Sequence, residues 1–330
     1  MRGRVVVAIT AAILVGCGLV RAWPGRQASG ADDGIPAPEM IGEGIISTED
    51  DELGGGVTPD GKTLIFEKSA APHYLYIMCE SHFVNGAWSK PEILPFSGQY
   101  RDTDPVLAPD GESILFASDR PVNGNDLHRW SIWRARRAVA GWEEPKLVPG
   151  VVNSQGSQVF ASMAANGNIY FASSRNTGDY DVFLAKLVDG EYREAQDLGP
   201  VLNGPGIDTF EATIAPDESY LLLGSFGREG GYGSSDIWVS FRQEGAWRKP
   251  INLGPKINGR ARDYSPRISG DGEWLYFTSE KGFVDEERRQ ALTYQQFDGG
   301  LKSVTNGLGN LYRVPLEPVL RAARRQLGVQ

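Results

Sequence analysis

The chain has 330 residues, 41% of them hydrophobic, and a formal net charge of −9 at pH 7. This length can bury a large core in one domain or in two. The negative charge argues against a general nucleic-acid-binding protein, because phosphate binding requires a high density of basic residues. The 41 Gly, 20 Pro and 8 Trp favour many short strands joined by tight turns.

The first residues have the pattern of an export signal. Residues 1–4 are short and basic, and residues 5–15 form an apolar run that is shorter than the about 20 residues a membrane span needs. The run ends in LVGC at residues 14–17, which resembles the bacterial lipobox, where the Cys is diacylated and becomes the mature N-terminus. Cys17 is therefore the predicted lipidation site. The alternative is an ordinary secretory signal cut a few residues later, and both take the chain out of the cytoplasm.

The rest of the chain divides by composition. Residues 18–37 are rich in Gly, Pro, Ala and Asp without an apolar period, and they are typical of a flexible tether. Residues 38–318 form the predicted domain, and residues 319–330 form a tail with a short, peripheral basic helix at 319–327. If Cys17 is lipidated, Cys79 is a free thiol and no intramolecular disulfide forms.

An internal repeat predicts the architecture. A turn followed by an apolar triplet recurs five times, and its central residues are Asp60, Asp110, Asn166, Asp217 and Asp271, at spacings of 50, 56, 51 and 54. In such turns Pro fixes φ, Asp or Asn caps the turn through its side chain, and Gly takes the position with positive φ. The triplet is apolar on both faces, as expected of a strand packed between two neighbouring sheets.

Each unit continues with a Ser-centred turn, a short apolar strand and a Gly-x-Trp-x-x-Pro strand. Four short strands in about 50 residues are typical of a propeller blade, so the chain is predicted to be an all-β, five-bladed β-propeller, with six blades the less favoured count. The fifth unit lacks its closing strand after Tyr312. Residues 38–46 are predicted to supply that strand beside residues 311–314, which removes free sheet edges.

The units resemble the WD40-like propeller repeats of TolB and of other bacterial envelope proteins. The fourth unit carries the pattern nearly complete, in Asp208, Glu211, Asp217, Gly230, Gly231, Asp236, Ile237, Trp238, Trp247, Pro250, Leu253, Gly254 and Asn258. The resemblance covers residues 38–318 and implies a propeller at the envelope that associates with other proteins. The expected partners are an envelope protein or a peptidoglycan-associated protein, and the membrane through the lipid anchor. The chain is expected to be a monomer that binds no nucleic acid.

Acidic residues recur near the predicted channel. Seven residues before the turn Pro, or its equivalent, the units place Glu52, Asp102, Gln158, Thr209 and Asp263. Because equivalent positions on innermost strands surround the central channel, an acidic mouth is predicted from Glu52, Asp102, Asp104, Asp208, Glu211 and Asp263. Such a mouth could hold a cation such as Ca²⁺ or a basic peptide end, although no dedicated cofactor is expected. The alternative is that each carboxylate accepts backbone N–H bonds within its own blade.

Residues 282–310 are the largest break in the repeat. Binding residues concentrate in inserted loops, and this one mixes aromatic and charged residues. A binding loop is therefore predicted from Phe283, Arg288, Arg289, Tyr294 and Phe297, with a short helix at residues 285–292. The alternative is an insertion that is disordered or packed against the domain.

Two functions of different classes remain. The leading interpretation is an exported, lipid-anchored propeller, facing the periplasm or the cell surface, that binds a protein or cell-wall partner. The alternative is a carbohydrate-active hydrolase on a five-bladed propeller, since paired carboxylates can perform acid–base chemistry. Because the acidic residues mostly follow the repeat, the sequence favours binding. An unrepeated acidic pair facing one pocket would favour the enzyme.

Overall fold

The computed structural model describes residues 34–70, 74–122, 129–139, 141–176 and 178–328. The predicted lipidation site at Cys17 lies outside these ranges, as does most of the predicted tether. Within the described ranges, every helix is too short or too polar to cross a membrane.

The chain begins with a short strand and then builds the first blade. Strand β1 spans Glu39–Met40 and belongs to the last blade, described below. The first blade contains β2 (Asp51–Val57), β3 (Thr63–Ala70), β4 (Leu75–Val84), β5 (Ala87–Trp88) and β6 (Glu92–Ile93). The strands are antiparallel neighbours in chain order, and both β5 and β6 pair with β4 as its outer strand.

The next three blades repeat this plan. The second contains β7 (Asp102–Leu107), β8 (Ser113–Ser118), β9 (Ser131–Ala138), β10 (Gly141–Trp142) and β11 (Lys146–Leu147). A 3₁₀ turn at Gly150–Asn153 leads to the third, with β12 (Gln158–Met163), β13 (Ile169–Ser173), β14 (Asp181–Val188) and β15 (Glu191–Asp197). The fourth contains β16 (Asp208–Ile214), β17 (Tyr220–Phe226), β18 (Asp236–Gln243), β19 (Ala246–Trp247) and β20 (Ile251–Asn252).

The fifth blade closes the ring with the N-terminal strand. Its own strands are β21 (Asp263–Ile268), β22 (Trp274–Ser279) and β23 (Asn310–Pro315). Strand β1 pairs with β23 in antiparallel register, with Glu39 opposite Arg313 and Met40 opposite Tyr312. The predicted five-bladed propeller, closed by an N-terminal strand, is thereby confirmed.

The predicted apolar triplets form the core. Phe66, Phe116, Phe171, Leu222 and Phe277 lie on the second strands of the five blades and are fully buried. They pack between neighbouring blades, which explains why these strands are apolar on both faces. Burying such side chains on both faces stabilises each blade through contact with the next.

Two helices differ from the sequence-based expectation. The helix predicted at residues 285–292 is wrong: α1 spans Tyr294–Leu301, because Thr293 and Gln296 form a capping box that fixes its start. Helix α2 spans Leu316–Gln326 and confirms the predicted C-terminal helix, but its peripheral placement is wrong. Leu320 and three further α2 side chains are buried against the fourth and fifth blades.

Candidate functional site

Each innermost strand is interrupted by a β-bulge that faces the central channel. The bulges lie two residues beyond the recurring acidic position, between Thr103 and Val106 in the second blade and at equivalent places in the others. Asp104, Phe160 and Ser265 adopt left-handed conformations there, with φ of 56°, 43° and 51°. Such values are uncommon outside Gly, and bulges of this kind often re-aim a residue towards a functional site.

Carboxylates from one blade accept hydrogen bonds from the bulge of the next. The Asp104 backbone N–H donates to Glu67 Oε2 at 2.7 Å, and the Phe160 N–H donates to the Asp104 carboxylate. Between the fourth and fifth blades, the Ser265 N–H and hydroxyl donate to Glu211 at 2.6 and 2.7 Å. These bonds fix the positions of three carboxylates from three blades around the channel.

A single arginine lies among these carboxylates. Arg267 is 2% exposed, and its guanidinium carbon lies 4.0 Å from the centroid of the Phe160 ring. Its Nε donates across the channel to the Pro105 carbonyl at 3.0 Å, and its Nη2 has no hydrogen-bond partner among the described residues. The positive charge of Arg267 attracts the carboxylates of Glu67, Asp104 and Glu211, so three carboxylates share one guanidinium.

The pKa values of the three carboxylates reflect this excess of negative over positive charge. Burial, reinforced by the charge of Asp104, raises the pKa of Glu67 to about 8 and that of Glu211 to about 7. Burial also raises the pKa of Asp104 to about 6, although Arg267 acts in the opposite direction. Near neutral pH the cluster therefore holds protons or requires additional positive charge.

A pocket of about 330 Å³ opens above this cluster, and all five blades contribute to it. Its volume lies at the lower end of the range of about 300–1,000 Å³ for small-molecule sites. Its polar lining includes Glu67, Asp104, Asp208, Glu211 and Arg262. Its walls are aromatic and consist of Tyr76, Trp130, Tyr180, Phe210, Phe226 and Tyr264.

The aromatic walls are packed against one another and against rim arginines. Tyr76 meets Trp130 edge to face at 6.3 Å between centroids, and a second pair of wall rings, from the fourth blade, stacks at 4.9 Å. The guanidinium carbon of Arg262 lies 4.5 Å from the Tyr264 ring centroid, and that of Arg101 lies 4.8 Å from Trp130. The pocket thus combines an acidic floor, apolar walls and a rim with positive charge.

The six acidic residues predicted for the channel mouth fall into two groups. Asp104, Asp208 and Glu211 line the pocket together. Burial raises the pKa of Asp208, which accepts a hydrogen bond from the Tyr180 N–H at 3.1 Å. These three residues are brought together as an acidic mouth.

The other three predicted acids are fully buried within their own blades, at the ends of the innermost strands. Asp102 pairs with Arg120 at 2.7 Å, and Glu52 pairs with Lys68 at 3.0 Å. Asp263 accepts the Gly259 N–H, and burial raises its pKa to about 7. The structure places these three away from the pocket lining, as links between strands and turns.

The predicted binding loop lies outside the pocket. Ser279, which precedes the insertion, pairs with Asp263 at the start of the innermost strand, so the insertion leaves the blade on the pocket face. Tyr294 is 81% exposed, and the Phe297 ring lies 6.3 Å from that of Phe283. The guanidinium of Arg288 lies over Phe283, and Arg289 is exposed.

The repeat alone did not identify the pocket residues Glu67 and Arg262, or Arg267 in the charged cluster beside the pocket. A signal for two of the wall residues was present, because an aromatic directly precedes the third strand in the second and third blades, at Trp130 and Tyr180. Arg267 also had a signal, since it places a charge within an innermost strand. The pairing of Glu67 with a bulge 37 residues away had none, because only the assembled ring brings them together.

Among the described residues, no group of three or more His, Cys, Asp and Glu side chains has the geometry of a metal site. Binding of Ca²⁺ in the channel stays a prediction. Carboxylates surrounded by aromatic rings are, in general, suited to organic cations.

Comparisons with known proteins gave similar solved structures. TolB from Acinetobacter baumannii is 17% identical with a TM-score of 0.47, over 81% of this chain and 55% of that one. A putative TolB from Agrobacterium tumefaciens is 15% identical with a TM-score of 0.48, over 81% of this chain and 90% of that one. A gluconolactonase from Xanthomonas campestris is 10% identical with a TM-score of 0.45, over 85% of this chain and 98% of that one. No protein-family model and no curated protein matches the sequence.

This chain therefore spans just over half the length of the first of these proteins, the Acinetobacter TolB. The blade count and the closure of the ring follow from the strand pairing of the chain itself.

Proposed function

We propose that this protein is an exported, lipid-anchored propeller that binds a protein or cell-wall partner at the bacterial envelope. Its binding site is the central pocket, which takes a positively charged group of the partner. The observation that carries this proposal is the charge imbalance: Glu67, Asp104 and Glu211 share the positive charge of Arg267, and aromatic rings line the pocket beside them. A bound cation supplies the missing positive charge, and the rings add cation–π attraction.

The rigidity of the site supports binding. Its carboxylates are held by hydrogen bonds from neighbouring blades, such as the bond from Ser265 to Glu211 at 2.6 Å. Groups held in position before the ligand arrives lose little conformational freedom on binding. The pocket is therefore preorganised for a cation that enters along the propeller axis.

Titration of the full chain with lysine- and arginine-containing peptides tests the site. Asp104→Asn and Asp208→Asn are each expected to weaken binding by about tenfold or more, because each removes a charged hydrogen-bond acceptor. Asp189→Asn is the matched control, since Asp189 also has a left-handed φ, 52°, but lies outside the pocket lining. Unchanged affinity in both pocket variants would contradict the proposal.

Export and anchoring rest on residues 1–17 of the sequence. Cys17→Ser is expected to abolish lipid attachment, so that the protein moves from the detergent phase to the aqueous phase on Triton X-114 partition. Cys79→Ser is the control, because Cys79 is a buried thiol of the first blade. Retention of the Cys17 variant in the detergent phase would contradict lipid anchoring.

One observation also favours the hydrolase. Asp104 and Glu211 line one pocket, and the other three blades have Gly54, Phe160 and Ser265 at the equivalent position, so only two of the five blades place an acid there. Glycosidases pair a protonated acid with an ionised carboxylate, and the raised pKa of Glu211, about 7, suits a general acid near neutral pH.

A panel of chromogenic glycosides separates the two functions. An enzyme is expected to turn over at least one substrate, with an optimum near pH 6 to 7, and to lose that activity in Glu211→Gln. A binder is expected to give no turnover with any of them, while retaining its affinity for cationic peptides.

A further inference from the structure

Besides its carboxylates, the pocket lining contains two hydrogen-bond donors without partners, from Tyr264 and Arg262. Tyr264 lines the pocket and is 5% exposed, yet its hydroxyl has no hydrogen-bond partner among the described residues. The Nε of Arg262, another lining residue, is also buried and unpaired within the described part of the chain. Buried donors are normally satisfied by protein or water, so these two have hydrogen-bonding capacity that an acceptor on a bound group can use.

These two donors belong to one side of the pocket. The guanidinium carbon of Arg262 lies 4.5 Å from the Tyr264 ring centroid, and its Nη1 donates to Glu280 at 3.2 Å. The bond to Glu280 orients the guanidinium and leaves Nε for another acceptor. Burial raises the pKa of Tyr264 well above 10, so its hydroxyl stays a donor at neutral pH.

The walls of the pocket are aromatic. Tyr76, Trp130, Tyr180 and Phe226 line the pocket around its acidic part. Rings of this kind pack well against an aliphatic stem whose charged head lies beyond them, as the methylenes of Lys and Arg do. The pocket therefore fits a group with a cation, an apolar stem and an acceptor for two donors.

We propose that the occupant is a lysine or arginine residue at the carboxyl terminus of a partner peptide. Its side-chain cation lies against Asp104 and Asp208, its stem lies along the aromatic walls, and its α-carboxylate accepts from Arg262 and Tyr264. This inference rests on the proposed function and specifies its ligand. An internal basic residue has no carboxylate for the donors, and a chain ending in an apolar residue has no charge for the floor.

Four short peptides test the inference on the full chain, by calorimetry and by the change in intrinsic tryptophan fluorescence, to which Trp130 in the pocket lining contributes. They are N-acetylated, to remove the charge of the N-terminus, and have the sequences Gly-Gly-Gly-Lys with a free carboxylate, its C-terminal amide, Gly-Lys-Gly-Gly, and Gly-Gly-Gly-norleucine. The free-carboxylate lysine peptide is expected to bind at least about tenfold more tightly than each of the other three, because hydrogen bonds to charged groups are stronger than those between neutral groups.

Tyr264→Phe gives the second measurement. It is expected to weaken binding of the free-carboxylate peptide severalfold and to leave the amide unchanged, since only the carboxylate uses the hydroxyl. Tyr74→Phe, whose side chain is 83% exposed and lies outside the pocket lining, is the matched control and is expected to change neither. Urea unfolding of each variant shows that the fold is retained.

The outcomes separate the two levels of the proposal. Equal affinity for the carboxylate and the amide, with no effect of Tyr264→Phe, overturns the inference and leaves a general cation site. Equal affinity for the lysine and norleucine peptides, or binding of none of the four, overturns the cationic site and the inference with it.

Discussion

Asp104 illustrates how a single residue can both connect blades and line the central pocket. Its left-handed φ of 56° turns its own N–H towards Glu67, while its carboxylate accepts the N–H of Phe160 in the next blade. The same carboxylate lines the pocket. One residue thereby links three blades and presents charge to the channel, which explains why the pocket acids are not free surface groups.

Glu211 gives a prediction about pH. Its pKa in the folded state, about 7, lies above its ordinary value of 4.5, so the folded protein binds protons that the unfolded chain releases. The stabilising effect of this proton is complete below pH 4.5 and is lost as the pH rises through about 7. Between pH 5 and 8, the unfolding free energy of Glu211→Gln is therefore expected to decrease by roughly 3 kcal/mol less than that of the wild type.

Urea denaturation of the full chain at each pH unit from 5 to 8 measures this slope. Glu144→Gln, at an exposed position on the outside of the second blade, is the control and is expected to follow the wild-type slope. A Glu211 variant with the wild-type slope would show that this carboxylate does not titrate in the predicted window.

Asp102 and Asp104 are expected to behave oppositely, although only one residue separates them. Asp102 is fully buried in a pair with Arg120, so Asp102→Asn leaves a buried guanidinium without its counter-charge. We expect a loss of roughly 3 kcal/mol in unfolding free energy, with peptide affinity unchanged. Urea unfolding and peptide titration of both variants check this. Weaker peptide binding by the folded Asp102→Asn protein would contradict it.

At the scale of elements, α2 is part of the fold. It follows β23, whose last residue, Pro315, pairs with Trp274 at the end of the blade away from the pocket. Leu316, Val319 and Leu320 are each at most 4% exposed, against the fourth and fifth blades. The helix therefore covers the junction that the ring closure creates.

Leu320→Ala is expected to lower the unfolding free energy by about 2–4 kcal/mol, because it removes buried methyl groups and leaves a cavity. Arg321→Ala, whose side chain is 62% exposed, is expected to change it by less than about 0.5 kcal/mol. Thermal and urea unfolding measure both. Because α2 lies away from the pocket face, neither variant should alter peptide affinity, and a loss of affinity in Leu320→Ala would contradict that separation.

The elements also show what the sequence could predict. The blades were predictable because their turns and apolar triplets are local patterns that recur five times. The helix of the insertion begins further along the chain than predicted, because the capping box of Thr293 and Gln296 fixes its first residue.

The site was less predictable than the fold for a physical reason. Asp104, Asp208 and Glu211 were identified because the repeat places them on innermost strands. The groups that complete the site meet only when the ring closes, as when Arg267 on β21 reaches the carbonyl of Pro105 on β7, 162 residues earlier in the chain. Pairings of this range leave no spacing in the sequence to detect.

At the scale of the whole molecule, closure determines the site. The pocket needs all five blades, and the fifth blade is complete only when β1 pairs with β23. The clasp is short, but Ile41 N–H also donates to the Leu311 carbonyl at 2.9 Å and its side chain is 5% exposed. A few residues near the N-terminus thus secure a ring of nearly 300 residues, Gly34–Gln330, that forms one compact unit.

Removal of β1 tests this dependence. Deletion of residues 34–40 is expected to expose the edge of β23, lower the unfolding free energy and cause self-association, because an unpaired strand edge is a template for another chain. Deletion of residues 22–28, equal in length but within the predicted tether, is the matched control. Ile41→Pro is a milder variant that removes the N–H donated to Leu311 together with the buried Ile41 side chain, and it is expected to weaken the clasp in the same direction. Light scattering and urea denaturation measure both effects, and a monomeric deletion variant with wild-type stability would show that the ring closes without this strand.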